Sequence, residues 1–225
     1  MSDRIPPLIT LEEHFIAPDL FSELSDLYGE QLKNVPAVGE RLRDVGPLRL
    51  ADMDANRVSL QVVSHAPGLG ARPPAGFGWH QETGLAVLRL FAAGLFDAVP
   101  GVKMVIGHFG EMLPFMMERV EKLSPRWGAR GRGWRRVWEE NIWVTTSGVW
   151  GLAPLACVLR NTPVDHVLYS VDYPFEKNEN GLAWVRELRD SGMVTPEELD
   201  KIAYRNAEKL LRVKAPVIAS ESNKS

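Results

Sequence analysis

Five short apolar segments, separated by stretches with helical spacing, constrain the fold of this chain more than any other feature. They are rich in β-branched residues and have the length of buried strands: 8–14 (LITLEEH), 59–65 (SLQVVSH), 103–108 (KMVIGH), 142–147 (IWVTTS) and 166–172 (HVLYSVD). Between them lie helical patterns such as 81–99, in which apolar residues recur every three or four positions. Strands that alternate with helices in this way predict a parallel α/β architecture.

Residues able to do chemistry stand at the carboxyl ends of four of these five segments. Glu12 and His14 close the first segment and point to one face of the strand, whereas Glu13 points to the other. The second, third and fifth segments end in His65, His108 and Asp172. Because parallel α/β folds build their sites at the carboxyl ends of strands, we expect these side chains to share a site.

The residue types at these strand ends are those that bind a divalent metal. Glutamate, histidine and aspartate bind zinc-like or manganese-like ions, so Glu12, His14 and Asp172 are candidate metal ligands, with His65 as a further candidate. An E-x-H pair is also compatible with a plain strand end, and Asp172 with a turn cap before Pro174. Residues alone leave both interpretations open.

The motif GHFGE (107–111) is more specific. His108 has the near-neutral pKa that general acid–base catalysis needs, although a hydrogen-bonded core histidine is the alternative. Glu111 opens a helix, where the dipole favours its charge. His80 in a glycine-rich loop and His166 at the start of its strand are expected to be structural or exposed.

Composition excludes several classes of function. The chain has 225 residues, a net charge of −3 and one cysteine, so it offers no basic surface for nucleic acid and no internal disulfide. No apolar stretch reaches the length needed to span a membrane, and the N-terminus lacks a secretory apolar region. These features predict one cytoplasmic domain over 1–225, with a disordered tail at 214–225.

Longer motifs carry a resemblance to a known family. They are LEEHF, LADMDANRVSLQVVSHAPG, FGWHQETGLAVLRLFAAGLFDAVPGVKMVIGHFGEMLPF, ENIWVTTSG and HVLYSVDYPFE, which together cover nearly the whole chain. This set resembles the amidohydrolase-related metal-dependent decarboxylases, which include aminocarboxymuconate-semialdehyde decarboxylase and the dihydroxybenzoate (γ-resorcylate type) decarboxylases. The E-x-H pair, in place of H-x-H, is similar to the dihydroxybenzoate branch.

The resemblance implies a distorted TIM barrel that holds one divalent metal, zinc or manganese. It places ligand roles on Glu12, His14 and Asp172, and an acid–base role on His108, with Glu111 holding that histidine. Asp172 is also expected to take part in proton transfer.

The resemblance further implies a homodimer. In that assembly Arg119 would reach the pocket of the neighbouring subunit and contact the substrate. Ser147 and Asn206 fall in matching motifs, and we expect structural roles for both.

The chain departs from the family in its middle. A complete barrel has eight strands, and five are predicted here. Three βα units, one of which supplies a further metal histidine in the family, are replaced by a loop over 65–79, which contains seven glycines or prolines and no predicted strand. The five strands correspond to the first, second, sixth, seventh and eighth of the family barrel. We therefore expect an incomplete barrel with open sheet edges and exposed apolar surface.

Three functions are compatible with these observations. The first is non-oxidative decarboxylation of a small aromatic, hydroxybenzoate-like, or related unsaturated carboxylic acid, with no organic cofactor. The second keeps the metal and hydrolyses a lactone or an amide. The third is a truncated, non-catalytic isoform, which the loss of three βα units favours.

Overall fold

The chain folds into parallel strands connected by helices. The computed structural model describes residues 4–24, 32–33, 35, 37–65 and 75–216. The strands are β1 (Leu8–Phe15), β2 (Val58–His65), β3 (Met104–Ile106), β4 (Ile142–Thr145) and β5 (Val167–Leu168). The helices are α1 (Pro18–Leu24), α2 (Ala37–Arg43), α3 (Pro47–Ala55), α4 (Ala75–Ala92), α5 (Leu95–Ala98), α6 (Leu113–Leu123), α7 (Trp134–Asn141), α8 (Leu152–Asn161), α9 (Asn178–Ser191), α10 (Pro196–Asp200) and α11 (Asn206–Leu211). A single turn of π-helix, Lys201–Arg205, joins the last two.

The strands form two parallel sheets. Within the described residues, β1 pairs with β2 in one sheet, and β3, β4 and β5 pair in that order in the other. The prediction of five parallel strands is confirmed. The break in pairing between β2 and β3 falls where the sequence predicts the missing units, and the barrel is therefore open at this point.

The three C-terminal strands are shorter than predicted. Segments 103–108, 142–147 and 166–172 contribute only three, four and two residues to β3, β4 and β5. After β5, the backbone turns to contact β1, so its polar groups find partners outside the β3–β4–β5 sheet. The carbonyl of Tyr173, for example, accepts from the amide of His14 at 2.6 Å.

A large apolar core lies between the three-stranded sheet and its helices. It is built from fully buried aromatic and branched residues, among them Phe96, Trp134, Trp138, Tyr169 and Leu188. Trp134, Trp138 and Trp143 are all buried, as packing residues are. A rigid core of this kind holds the carboxyl ends of β3, β4 and β5 in fixed positions.

The stretch 65–79, which stands in place of three βα units of the family, differs in part from the expectation. The prediction of a loop over 65–79 is wrong at its C-terminal end, because α4 begins at Ala75. Glycines at 76 and 78 do not stop this helix, since tertiary contacts override weak helix propensity. Residues 66–74 lie outside the described part of the chain.

The C-terminal helices begin with a capping box. The hydroxyl of Thr195 accepts from the amide of Glu198, whose carboxylate accepts from the amide of Thr195, and this pair of bonds opens α10. Of the predicted tail 214–225, residues 217–225 lie outside the described residues, and Ala215 donates its amide to Glu208 at 2.8 Å. Among the described helices, none combines the length and the apolar character needed to cross a bilayer.

Candidate functional site

The carboxylate of Glu12 lies at the meeting point of β1, β3 and β4. Its Oε2 accepts hydrogen bonds from the hydroxyls of Thr145, at 2.7 Å, and Ser147, while its Oε1 lies 3.7 Å from Nδ1 of His108. Any side chain at residue 107 would collide with this carboxylate, which explains the glycine there. Ser147, expected to be structural, therefore orients a candidate ligand.

Asp172 links two histidines from different strands. Its Oδ1 lies 3.1 Å from Nε2 of His14, and its Oδ2 lies 3.6 Å from Nε2 of His108. Nδ1 of His14 lies 3.2 Å from the hydroxyl of Ser64 on β2, so the other ring nitrogen faces Asp172. Asp172 has a left-handed backbone with φ of 75°, which turns its side chain towards the histidines.

The electrostatics of this group follow from burial and close partners. Burial opposes charge on His108, but the nearby carboxylates of Asp172 and Glu111 outweigh it and raise the pKa of His108 to about 10. Burial likewise opposes charge on Asp172, and the two histidines more than offset this, so that the pKa of Asp172 is lowered. In His14, burial lowers the pKa and the contact with Asp172 raises it, with a net increase.

Glu13, on the opposite face of β1, fixes the segment that carries Asp172. It is fully buried, and its carboxylate accepts from the hydroxyl of Ser170 at 2.9 Å and from the amides of Val171 and Tyr173 at 3.0 and 2.6 Å. Burial raises the pKa of Glu13 to about 7, against the effect of these bonds. The two sheets are joined here by side chains.

Arg49 fixes the end of β1 from the other side. This buried guanidinium on α3 donates to the carbonyl of His14 at 2.6 Å and to the side chain of Gln61 at 3.0 Å, and it lies 4.6 Å from the ring centre of Tyr173. Arg49 and Glu13 were both missed by the sequence reasoning, since nothing local marks an arginine or a glutamate as buried.

Glu111 is contacted by two imidazoles. Its Oε1 lies 3.0 Å from Nδ1 of His108, as the predicted holding role requires, and its Oε2 lies 2.5 Å from Nδ1 of His80. The placement of His80 in a loop is wrong: it lies in α4, is partly buried and contacts Glu111. The turn His108–Glu111 directs its side chains inward through left-handed φ values at His108, Phe109 and Glu111.

The remaining predicted residues lie outside this group. Arg119 is exposed on α6. The side chain of His65 lies outside the described residues. Asn206 donates to the carbonyls of Val164 and Val167, and His166 stacks on Trp143 at 4.1 Å, contacts that suit the structural roles expected of both.

The predicted ligand set has suitable donor chemistry for a divalent ion. His14 and Asp172 already lie 3.1 Å apart, and Oε1 of Glu12 is free of the hydroxyls that hold Oε2. Two carboxylates and one imidazole are ligands that manganese and zinc accept. Within the described residues, the only group of three or more such side chains whose ligand atoms all lie within 4.8 Å of one another is His80, His108 and Glu111.

Comparison with known proteins agrees with this architecture. The sequence model of the amidohydrolase family matches residues 52–213. Decarboxylase orsB of Emericella nidulans is 35% identical in an alignment of 323 positions that covers 92% of this chain and 98% of that protein. Because that alignment exceeds the 225 residues of the chain by 98 positions, at least that many face a gap here.

Bacterial relatives match a smaller part. A gamma-resorcylate decarboxylase of Rhizobium radiobacter is 34% identical over 139 residues, 59% of this chain and 41% of that enzyme, so the match spans less than half its length. A solved structure of dihydroxybenzoic acid decarboxylase from Polaromonas sp., with bound manganese and the inhibitor 2-nitroresorcinol, has a TM-score of 0.76 and 20% identity over 92% of this chain and 97% of that one. The fold is thus a TIM-barrel-derived fold with fewer strands, and the chain belongs to the amidohydrolase-related decarboxylase family.

Proposed function

We propose that this chain is a metal-dependent, non-oxidative decarboxylase of a small, hydroxybenzoate-like carboxylic acid. The observation that carries the proposal is the position of Asp172, whose carboxylate lies 3.1 Å from the candidate ligand His14 and 3.6 Å from His108. The candidate metal ligand His14 and the candidate proton donor His108 thus both face the carboxylate of Asp172, where the strands end. The relatives above, which are decarboxylases by name, support the same reaction class.

Each side chain has a role in this reaction. Glu12, His14 and Asp172 would hold one divalent ion, zinc or manganese, which supplies Lewis-acid contact to the substrate's carboxylate and an adjacent hydroxyl. His108, oriented at Nδ1 by Glu111, transfers a proton to the ring carbon, directly or through Asp172. The bond to the carboxyl carbon breaks, its electron pair stays on the ring carbon, the proton takes its place, and carbon dioxide leaves.

The decisive experiment measures carbon dioxide release and the ring product from a panel of hydroxybenzoates, with protein loaded with manganese or zinc. We expect turnover in the unmodified chain and a loss of about 100-fold or more in His108→Asn, since general acid–base catalysis contributes about 10²–10⁴-fold. His166→Gln is the matched control, because His166 packs on Trp143 away from the site. Turnover of a lactone panel in place of the acids would assign hydrolysis, and folded, metal-loaded protein without turnover would assign the non-catalytic isoform.

We also propose a homodimer formed through one face of α6. Phe115 and Met116 are exposed there beside Arg119, with Met112 exposed just before the helix, and Phe115 keeps 78% of its surface accessible. An exposed apolar face of this kind is typical of an interface, and dimerisation would bring Arg119 towards the partner's site. Light scattering should give twice the chain mass, and Phe115→Asp should give a monomer; a monomeric unmodified chain would contradict the proposal.

A cytoplasmic location suits this activity. Cys157 is the single cysteine of the chain, and it is free in the structure. A free cysteine is typical of proteins in a reducing compartment. Fractionation of cells that produce the tagged protein should place it with cytoplasmic markers.

A further inference from the structure

The contact between His80 and Glu111 is not used by the proposed reaction. Glu111 is buried, and each of its carboxylate oxygens faces Nδ1 of a different imidazole, at 3.0 Å for His108 and 2.5 Å for His80. The two rings lie edge to face with centres 4.7 Å apart. Because a carboxylate only accepts hydrogen bonds, both Nδ1 atoms carry a proton in this arrangement.

We propose that His80, His108 and Glu111 form a second cation site, which binds zinc and competes with the proton transfer by His108. The three ligand atoms lie within 4.8 Å of one another, so small side-chain movements bring them to the 2.0–2.2 Å that zinc ligands take. On binding, the ion takes the place of the two Nδ1 protons against the carboxylate, and both rings bind as neutral imidazoles. A doubly protonated ring releases its Nδ1 proton to solvent, and a singly protonated ring carries its one proton on Nε2 instead.

The donor set favours zinc at this site. Two imidazoles and one carboxylate form a nitrogen-rich set, whereas Glu12, His14 and Asp172 offer two carboxylates and one imidazole. We therefore expect zinc to fill the His80 site and manganese to be bound weakly there.

This inference rests on the proposed function in one respect, the effect on rate. A histidine whose Nδ1 binds zinc has lost its contact with Glu111 and is unable to act as the oriented proton donor. Excess zinc should therefore inhibit a manganese-loaded enzyme. The zinc concentration that halves the rate should rise by about tenfold or more in His80→Gln, which keeps a polar side chain but loses the imidazole.

Ion counting tests the site without any activity. Protein freed of metal is equilibrated with zinc, and zinc per chain is measured for the unmodified chain, His80→Gln, Glu12→Gln and the matched control His166→Gln. We expect one ion fewer in His80→Gln and no change in His166→Gln. Cobalt, which reports four-coordinate zinc sites by its visible absorption, should lose one set of bands in His80→Gln.

The outcomes separate this inference from the proposed function. Equal zinc content in His80→Gln and the unmodified chain, with both folded, would overturn the second site. Equal content in Glu12→Gln and the unmodified chain would instead count against the proposed catalytic ion. If His80→Gln fails to fold, zinc protection of His80 from diethylpyrocarbonate in the unmodified chain decides, with His166 as internal reference: protection supports the site and its absence overturns it.

Discussion

Two places in the described part of the chain lack a neighbouring strand, and they differ in which contacts replace that strand. Between β5 and β1, the carboxylate of Glu13 and the hydroxyl of Ser170 take over the bonds of a strand ladder; we call this contact the seam. At the gap between β2 and β3, each strand pairs on one side only among the described residues, and Val63 and Val105 are 41% and 43% exposed.

The difference explains how a site can persist in an incomplete barrel. Glu12, His108 and Asp172 come from segments at the ends of β1, β3 and β5, and the seam holds the first and last of these together. Of the two strands that flank the open gap, β2 contributes none of these three side chains and β3 contributes His108. The position of Glu12 relative to Asp172 therefore depends on the seam and not on closure of the gap.

The largest expected effect is the loss of the seam through Glu13→Ala. This change leaves the hydroxyl of Ser170 and the amides of Val171 and Tyr173 without an acceptor in a buried place, so we expect a loss of about 3–5 kcal/mol in the free energy of unfolding. Urea unfolding measures it. Glu13→Gln keeps one acceptor oxygen and should lose about half as much; a loss below about 1 kcal/mol in the alanine variant would mean that the seam is not needed.

A smaller effect is expected for Ser170→Ala. The hydroxyl accepts from the amides of Leu11 and Glu12, at 3.2 and 2.7 Å, and donates to Glu13. Its removal should cost about 1–3 kcal/mol by urea unfolding, since buried donors lose their partner. It should also loosen Glu12, so manganese affinity should fall more than in Ser191→Ala, a control whose hydroxyl lies at the end of α9. Equal affinities in the two variants would separate the seam from the site.

Acid should weaken the three-stranded sheet through His166. Burial against Trp143 lowers the pKa of His166, against a bond to the carbonyl of Ile142 at 2.8 Å. The unfolded chain therefore binds a proton more readily than the folded one, and stability falls as pH drops below the ordinary histidine pKa of about 6.5, until the lower folded pKa is passed. Three charged groups near His166 also act on its pKa: Asp165 raises it, and Lys209 and Lys103 lower it.

The check is the difference between the unmodified chain and His166→Gln. Urea midpoints are measured from pH 8 to pH 5, and the unmodified chain should lose more stability over this range than the variant. If the urea midpoints of the two chains change with pH in parallel, protonation of His166 does not affect stability. The loss of stability in acid would then come from the titratable groups of the site.

The smallest effect on stability is expected at the open gap. Val63→Thr and Val105→Thr keep the β-branched shape and should change the free energy of unfolding by no more than about 0.5 kcal/mol, as is usual for exposed positions. Self-association at high concentration, followed by light scattering, should decrease because open apolar edges promote pairing between chains. A large destabilisation would show that the gap is covered and would break the comparison.

The sequence predicted much of the local structure and the main site region. Short apolar runs, separated by stretches with helical spacing, located all five strands, because strand and helix periods are local properties of the chain. Strand ends located Glu12, His14, His108 and Asp172 at one edge, since parallel strands bring their carboxyl ends together. The family resemblance implied the Glu111 contact with His108.

Only the tertiary structure decided the roles of Glu13, Arg49 and His80. Glu13 reaches partners 157 to 160 positions away in the chain, and His80 reaches Glu111 across 31 positions. Local pattern holds no information on such contacts, because they depend on how the sheets and α4 pack together. The chain order therefore determined which residues stand at the strand ends, and long-range packing determined which of them touch.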